Sequence, residues 1–328
     1  MEKIYIYPSF DSRHDKTGNT YIKEFHSAFS RSGRYRVINR FPSLQVFSMP
    51  FNLDAAVFVI HWVDLIPRKP LGCLQSLLFM LVISLADLLG KRIVWVLHNK
   101  RAHAGESQMS ARLMRFMAER SDLVITHSKE GVGFFRSSYP DADPSLCVYI
   151  PHPVYDSVIR QSSEIRWDYI IWGGIDRRKN VAGFLRFAAS APGMSGKKIL
   201  ICGRCADEEY DRLIRDTLTP DMTYENRFLT DEELASRISA SGAVLFTYSP
   251  ESVLSSGALI YSLNFLKPVI GPRVGSFADL EGIVACYDVF EDIPSLVLAQ
   301  DVSEKALEYI AENSWDDFVR KFDMAQKK

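Results

Sequence analysis

Buried strands and amphipathic helices alternate along this chain from one end to the other, in two successive cycles. Such alternation selects parallel sheets covered by helices on both faces. In the first cycle the apolar runs at residues 4–7, 55–60, 93–97, 123–126 and 148–150 read as buried strands. Helices are predicted between them. Tyr21, Phe25, Ala28 and Phe29 recur at helical spacing after Thr20 and stop at Gly33, and Met109, Leu113, Phe116 and Met117 do the same after Ser107. Residues 151–166, with two early prolines and then polar side chains, break the pattern and read as a linker. The second cycle has strands at 169–172, 198–202, 243–246 and 268–270. Asn180 stands where it would cap a helix, and Thr230 with Glu233 forms a capping box. At 328 residues the chain is long for one core. The expected architecture is α/β, two Rossmann-like doubly wound domains facing a cleft. Residues 1–155 form the first, residues 156–310 the second, and a helix within 311–328 packs back on the first.

Charge narrows the partners. Lys plus Arg number 39 and Asp plus Glu 40, a net charge of −1, so no global field draws the chain to nucleic acid. Any anion site must be local. Five cysteines, an odd number, and an N-terminus that runs straight into a strand point to a reducing cytosol. Cys202-Gly203-Arg204-Cys205 supplies half of a tetrahedral metal site, with no second pair to complete it. It reads as a strand end with two small buried residues. The longest apolar stretch, residues 71–89, is interrupted by Gln75, Ser76, Ser84 and Asp87. It reads as a buried helix. The other reading is a hydrophobic face leaning on a membrane, with Arg68, Lys69, Lys91 and Arg92 toward anionic headgroups.

Open parallel sheets bind ligands beyond the carboxyl ends of their strands, so chemistry is sought in the loops that follow. After the strand ending at Trp172 comes Gly173-Gly174-Ile175-Asp176-Arg177-Arg178-Lys179-Asn180. Glycines admit a ligand to the backbone, three cations neutralise phosphate, and the next helix start adds partial positive charge: a diphosphate clamp. Ser255, Ser256 and Gly257 offer hydroxyls and N–H groups at another helix start, while Glu251 suits sugar hydroxyls. In the first half His98-Asn99-Lys100-Arg101-Ala102-His103 follows a strand, as does His61-Trp62-Val63-Asp64. Such imidazoles orient hydroxyls or move a proton near neutral pH. Gly18-Asn19-Thr20 places a weaker glycine signal after the first strand.

These segments, taken in order, resemble glycosyltransferase family four and its relatives in bacterial polysaccharide synthesis. The resemblance is carried by Gly18-Asn19-Thr20, Val59-Ile60-His61-Trp62, Val96-Leu97-His98-Asn99 and Ser121-Asp122-Leu123-Val124-Ile125-Thr126-His127-Ser128. It continues through Tyr149-Ile150-Pro151-His152-Pro153, the run from Gly173 to Asn180, Phe228-Leu229-Thr230-Asp231-Glu232-Glu233-Leu234, and Ser255-Ser256-Gly257-Ala258-Leu259 through Gly271. It implies a GT-B fold, a nucleotide-diphosphate sugar held mainly by the C-terminal domain, and no required metal. Lys179 matches the lysine that meets the donor diphosphate. Gly174 stands where an arginine is usual, so Arg177 or Arg178 substitutes. Glu251 matches the first of a glutamate pair whose second position is Leu259 here. The expected catalytic set is His98, His103, Lys179 and Glu251. The expected donor-binding set is Gly18, Asn19, Gly173, Gly174, Arg177, Arg178, Arg204, Leu229, Ser255, Ser256 and Gly257.

The expected activity is hexosyl transfer, with retention favoured, to a glycan or lipid-linked glycan in capsule, exopolysaccharide or lipopolysaccharide synthesis. The expected place is the cytoplasm, with peripheral contact to the inner membrane. An epimerase or sugar phosphatase on a similar frame stands as one alternative, and a non-catalytic nucleotide-sugar or partner-binding protein as another.

Overall fold

The computed structural model describes residues 1–10, 20–100, 107–155, 164–251, 253–296 and 302–327. It comprises two compact units, Met1–Pro153 with Asn313–Lys328, and Val154–Glu312. The first contains β1 (Glu2–Tyr7), α1 (Thr20–Arg31), β2 (Tyr35–Val37), β3 (Val57–His61), α2 (Gly72–Leu88), β4 (Arg92–Leu97), α3 (Gln108–Arg120), β5 (Leu123–Thr126), α4 (Lys129–Ser138) and β6 (Cys147–Tyr149). Every pairing is parallel, in the order β2-β1-β3-β4-β5-β6. Central strands β3 and β4 are buried almost end to end, as strands covered on both faces must be. Ser107 and Ser128 cap α3 and α4 by accepting from Ser110 N and Gly131 N.

The second unit contains β7 (Trp167–Trp172), α5 (Val181–Ser190), β8 (Ile199–Cys202), α6 (Glu208–Arg215), β9 (Met222–Glu225), α7 (Asp231–Ser239), β10 (Ser241–Leu245), α8 (Gly257–Leu263), β11 (Val269–Pro272), α9 (Gly275–Asp279), β12 (Val284–Tyr287) and α10 (Val302–Glu312). Its sheet is also parallel, in the order β12-β11-β10-β7-β8-β9. The chain winds outward from β7 to one edge, then from β10 to the other, which is the doubly wound plan. Thr230 and Glu233 form the expected capping box on α7. Asn180 does not cap α5 with its side chain; it closes the preceding turn in the left-handed region at φ 49°.

A last helix, α11 (Trp315–Ala325), belongs to the first unit. Its Trp315, Phe318, Val319 and Phe322 join Phe25 and Phe29 of α1 in one apolar cluster. Burying each such side chain stabilises by about 1.5–3 kcal/mol. Asp323, nearly buried, accepts from the Tyr35 hydroxyl at 2.5 Å and pairs with Arg34, so the helix is also pinned by charge.

The buried-helix reading of residues 71–89 is corrected. Gln75, Ser76, Phe79, Val82, Ile83 and Ala86 of α2 face inward, whereas Leu74, Leu77, Leu81, Leu85 and Leu88 are exposed, Leu88 at 83%. A segment that is apolar all round carries no sense of which side is covered. Among the described residues no helix is long and apolar enough to cross a membrane.

Candidate functional site

In the second unit the two halves of the sheet part between β7 and β10, the position where such sheets take ligands. The loops leaving these two strands are bonded to each other. Ser249 N donates to the Arg178 carbonyl at 2.8 Å, and Thr247 Oγ1 donates to the Lys179 carbonyl. Gly173 follows β7 with φ 95°, and Gly203 follows β8 with φ 141°. A Cβ on Gly203 would lie 2.0 Å from the Gly173 carbonyl, so only glycine lets these loops meet. Gly174 is exposed, with open space where its side chain would be.

Lys179 is 6% exposed, and its ammonium donates to the Trp172 carbonyl at 2.7 Å. The same ammonium lies 5.6 Å from the centre of the Tyr248 ring and directly beside Gly173. One charge is thus held at the switch point by a carbonyl and an aromatic face, neither of which neutralises it. Asp176 shapes the turn by accepting from the backbone of Arg178 and Lys179 at 3.0 and 3.3 Å. Arg178 gives Nη2 to Asp176 at 2.7 Å, while its buried Nε has no partner among the described residues.

Arg177 goes elsewhere. Its guanidinium pairs with Asp207 at 2.8 Å and Glu209 at 2.5 Å and lies over Tyr210, tying the turn to the start of α6. Of the three cations expected from sequence to form a clamp, Arg177 is thus engaged with α6, while Lys179 and Arg178 stay with the turn after β7. Successive residues of a 3₁₀ turn diverge by about 120°, so three neighbours cannot face one ligand.

The other expected donor contacts fall unevenly. Arg204 is exposed on the loop after β8, and its carbonyl accepts from Ile175 N at 2.9 Å. Leu229 packs against the apolar cluster that holds Trp172 and Tyr248. Ser256 is buried and caps α8 by accepting from Leu259 N, with the Tyr248 hydroxyl 3.5 Å from its own. Ser255 and Gly257 flank it, half-buried, and Glu251 lies in an exposed turn. Leu259 is wholly buried in the core of α8 and presents nothing to a ligand. Tyr248, which opens the segment read from sequence as a second anion site but was given no role of its own, links Lys179 to Ser256; its signal was an aromatic just beyond a buried strand.

Cys202 and Cys205 are buried, and burial foremost pushes Cys202 up to about 12 and raises Cys205, so both stay thiols. Among the described residues no three His, Cys, Asp or Glu side chains stand where they could share a metal ion.

In the first unit a histidine stands at or just beyond the carboxyl end of each of four adjacent strands. His61 ends β3, His98 and His127 directly follow β4 and β5, and His152 lies beyond β6. Tyr21 of α1 packs against all four rings, at centroid distances of 5.1 to 5.6 Å. His127 Nδ1 lies 2.8 Å from the Ile150 carbonyl, which only accepts, so the proton is on Nδ1. Its Nε2 therefore accepts from the Tyr21 hydroxyl at 2.8 Å. His61 Nδ1 meets His98 Nε2 at 3.0 Å, and the Trp62 indole stacks on His98 at 4.4 Å.

Burial drives three of these imidazoles neutral: His127 is lowered to about 4, His152 to about 3, and His61 well below its ordinary value. His98 is 8% exposed, and the neighbouring Asn99 has a buried Nδ2 with no partner among the described residues. This surface is polar and aromatic, with His61, His127 and His152 held neutral, a lining that suits hydroxyls. Sequence reasoning named His98 for the site; His127, His152 and Tyr21 were not, although each histidine follows a buried strand. His103, Gly18 and Asn19 lie outside the described residues.

No family model and no curated protein sequence matches this chain. Solved structures do. Anabaena HepE in complex with UDP aligns over 97% of this chain and 94% of its own, at 12% identity and a TM-score of 0.60. AviGT4, a glycosyltransferase involved in avilamycin A biosynthesis, aligns over 100% and 97%, at 14% identity and 0.60. WaaB, a lipopolysaccharide outer core galactosyltransferase, aligns over 99% of both chains, at 11% identity and 0.58. The fold is that of the GT-B glycosyltransferases: two parallel six-stranded sheets in two α/β units.

Proposed function

We propose that this chain is a glycosyltransferase that moves a hexosyl unit from a nucleotide-diphosphate sugar to a glycan or lipid-linked glycan in surface-polysaccharide assembly. The observation that carries the reading is the Lys179 ammonium, held against Gly173 at the switch point of the second sheet with, among the described residues, a carbonyl and a ring face for company. As the bond from the sugar's anomeric carbon to the diphosphate breaks, negative charge gathers on the leaving oxygens. Lys179 and the Arg178 Nε stand ready to neutralise it, with no metal needed. Glu251 accepts hydrogen bonds from the sugar, and His98 with Asn99 receives hydroxyls on the first unit. With a leucine in place of a second glutamate, the ribose relies on backbone groups.

The neighbours are consistent with this chemistry: one was solved with UDP and another is named a galactosyltransferase. The finer proposals are retention at the anomeric carbon, action at the cytoplasmic face of the inner membrane, and docking there through the exposed leucines of α2.

A panel of nucleotide sugars, scored first by thermal shift and then by turnover with and without glycan acceptors and EDTA, tests the reading. Acceptor-dependent release of nucleoside diphosphate, unaffected by chelator, is expected. Rearranged sugar without acceptor would indicate an epimerase, and a thermal shift without turnover a binding protein. The anomeric proton coupling of the product decides retention. Leu81→Glu with Leu88→Glu should abolish flotation with anionic vesicles while sparing turnover on a soluble acceptor.

A further inference from the structure

Between α3 and α4 the first unit carries a groove of about 470 Å³, within the size range of small-molecule sites. Lys100, Arg112 and Arg115 line it together with Phe134, Tyr139 and the buried Met114. Tyr139 meets Trp95 at 5.9 Å and Phe134 at 6.2 Å, both edge to face, so one wall is aromatic and braced from behind.

Its charge is one-sided. Lys100 pairs with Glu130, but Arg112 and Arg115 are exposed and have no ion pair among the described residues, Arg115 making none with Glu119 one turn on. No carboxylate lines the groove among those residues either. Like charges three residues apart on a helix repel each other, so folding alone gains nothing from this pair. Three residues rise about 4.5 Å along the helix axis, close to the length of one sugar residue. Two guanidinium forks at that spacing match one branched oxyanion, or two on neighbouring sugars, while the aromatic wall suits the apolar face of a sugar ring. The groove also begins beside the strand-end edge. Lys100 directly follows Asn99, whose Nδ2 is buried with no partner among the described residues. An acceptor hydroxyl received by Asn99 has Lys100 next to it and the groove beyond.

We propose that this groove is an anion subsite for the acceptor, in which Arg112 and Arg115 hold a carboxylate or phosphate borne by the glycan or by its lipid carrier. Calling the ligand an acceptor rests on the glycosyltransferase reading; the anion site itself does not.

Isothermal titration of the full chain at low salt, without donor, tests the site with tetragalacturonate, neutral maltotetraose and inorganic diphosphate. An anion should bind at least about tenfold more tightly than maltotetraose. Removing both guanidiniums in Arg112→Gln with Arg115→Gln should weaken it by about 10- to 100-fold. Arg31→Gln with Arg36→Gln takes the same charge from α1 and β2 and should leave it within about twofold. Diphosphate held by Lys179 survives in the first double variant and is told apart by that. Among the binding that this variant loses, preference for tetragalacturonate assigns the oxyanion to the sugar, and preference for diphosphate assigns it to the lipid carrier. Maltotetraose binding as tightly as the anions, no anion binding lost with Arg112 and Arg115, or an equal loss in the control pair overturns the proposal. In turnover with an acceptor of the preferred class, the Arg112 and Arg115 double variant should raise acceptor KM with kcat within about threefold, because contacts remote from the reacting atoms act alike in ground and transition states. A fall in kcat at unchanged KM would overturn the subsite. A parent that binds the anion yet turns over no donor would sink the transferase reading and leave the groove an anion site.

Discussion

The two sheets follow related plans, yet their carboxyl ends carry opposite chemistry. The second unit offers glycine loops, a buried ammonium and a guanidinium nitrogen with no partner among the described residues; the first offers buried imidazoles, an indole and a phenol. All seven histidines of the chain lie between residues 1 and 153, none in the second unit. The lesson is that the fold fixes where a ligand sits and the strand-end residues fix what it is. A cationic edge suits diphosphate; an aromatic edge of buried imidazoles suits hydroxyls.

Four experiments would break or sharpen that contrast. The largest effect should come from Phe322→Ala, which empties the cluster joining α11 to α1 and should cost about 3–5 kcal/mol in the first unit. Urea unfolding would measure it, and the thermal shift given by donor should survive if donor binding belongs to the second unit. Next is Lys179→Met, which keeps much of the volume and removes the charge. A fall in kcat of about 10²- to 10³-fold is expected, with a much smaller loss of stability; turnover equal to the parent would remove the lysine from the proposed chemistry.

Through histidine, acid should then strike the first unit alone. His127 has its folded value lowered to about 4 against 6.5, so the unfolded chain takes the proton first. Stability from its neutral burial is complete above pH ~6.5 and is lost as pH falls toward 4, roughly 3 kcal/mol at the bottom of that window. Denaturant midpoints from pH 7.5 to 4, followed in fragments or by hydrogen exchange, should move for the first unit and not through any histidine of the second. The smallest effect belongs to Arg177→Ala. Its pairs with Asp207 and Glu209 are exposed and screened by solvent, so stability should barely change and kcat should fall by under threefold. A large kinetic loss would return Arg177 to the diphosphate.

Much of this was legible in the sequence because interior parallel strands are continuous apolar runs. The strands that escaped, β2, β9 and β12, are all sheet edges. β2 and β9 are short, β2 with a single buried position and β9 with none, so neither period nor composition marks them. The lysine of the second unit was readable from its glycines and its place after a strand. The fate of Arg177 was not, because Asp207 and Glu209 lie some thirty residues away and only folding brings them to it. α2 failed for another reason: uniform apolarity hides orientation. The ring of histidines around Tyr21 was visible only one strand at a time, since register alone sets the four rings side by side.

The docking of α11 onto α1 also sets an order of events at the ribosome. Residues 315–325 are translated after the whole of the second unit, so the half begun first is the half finished last. The second unit, being continuous, is free to mature while the earlier half waits with Phe25 and Phe29 uncovered, an interval in which chaperones have something to hold.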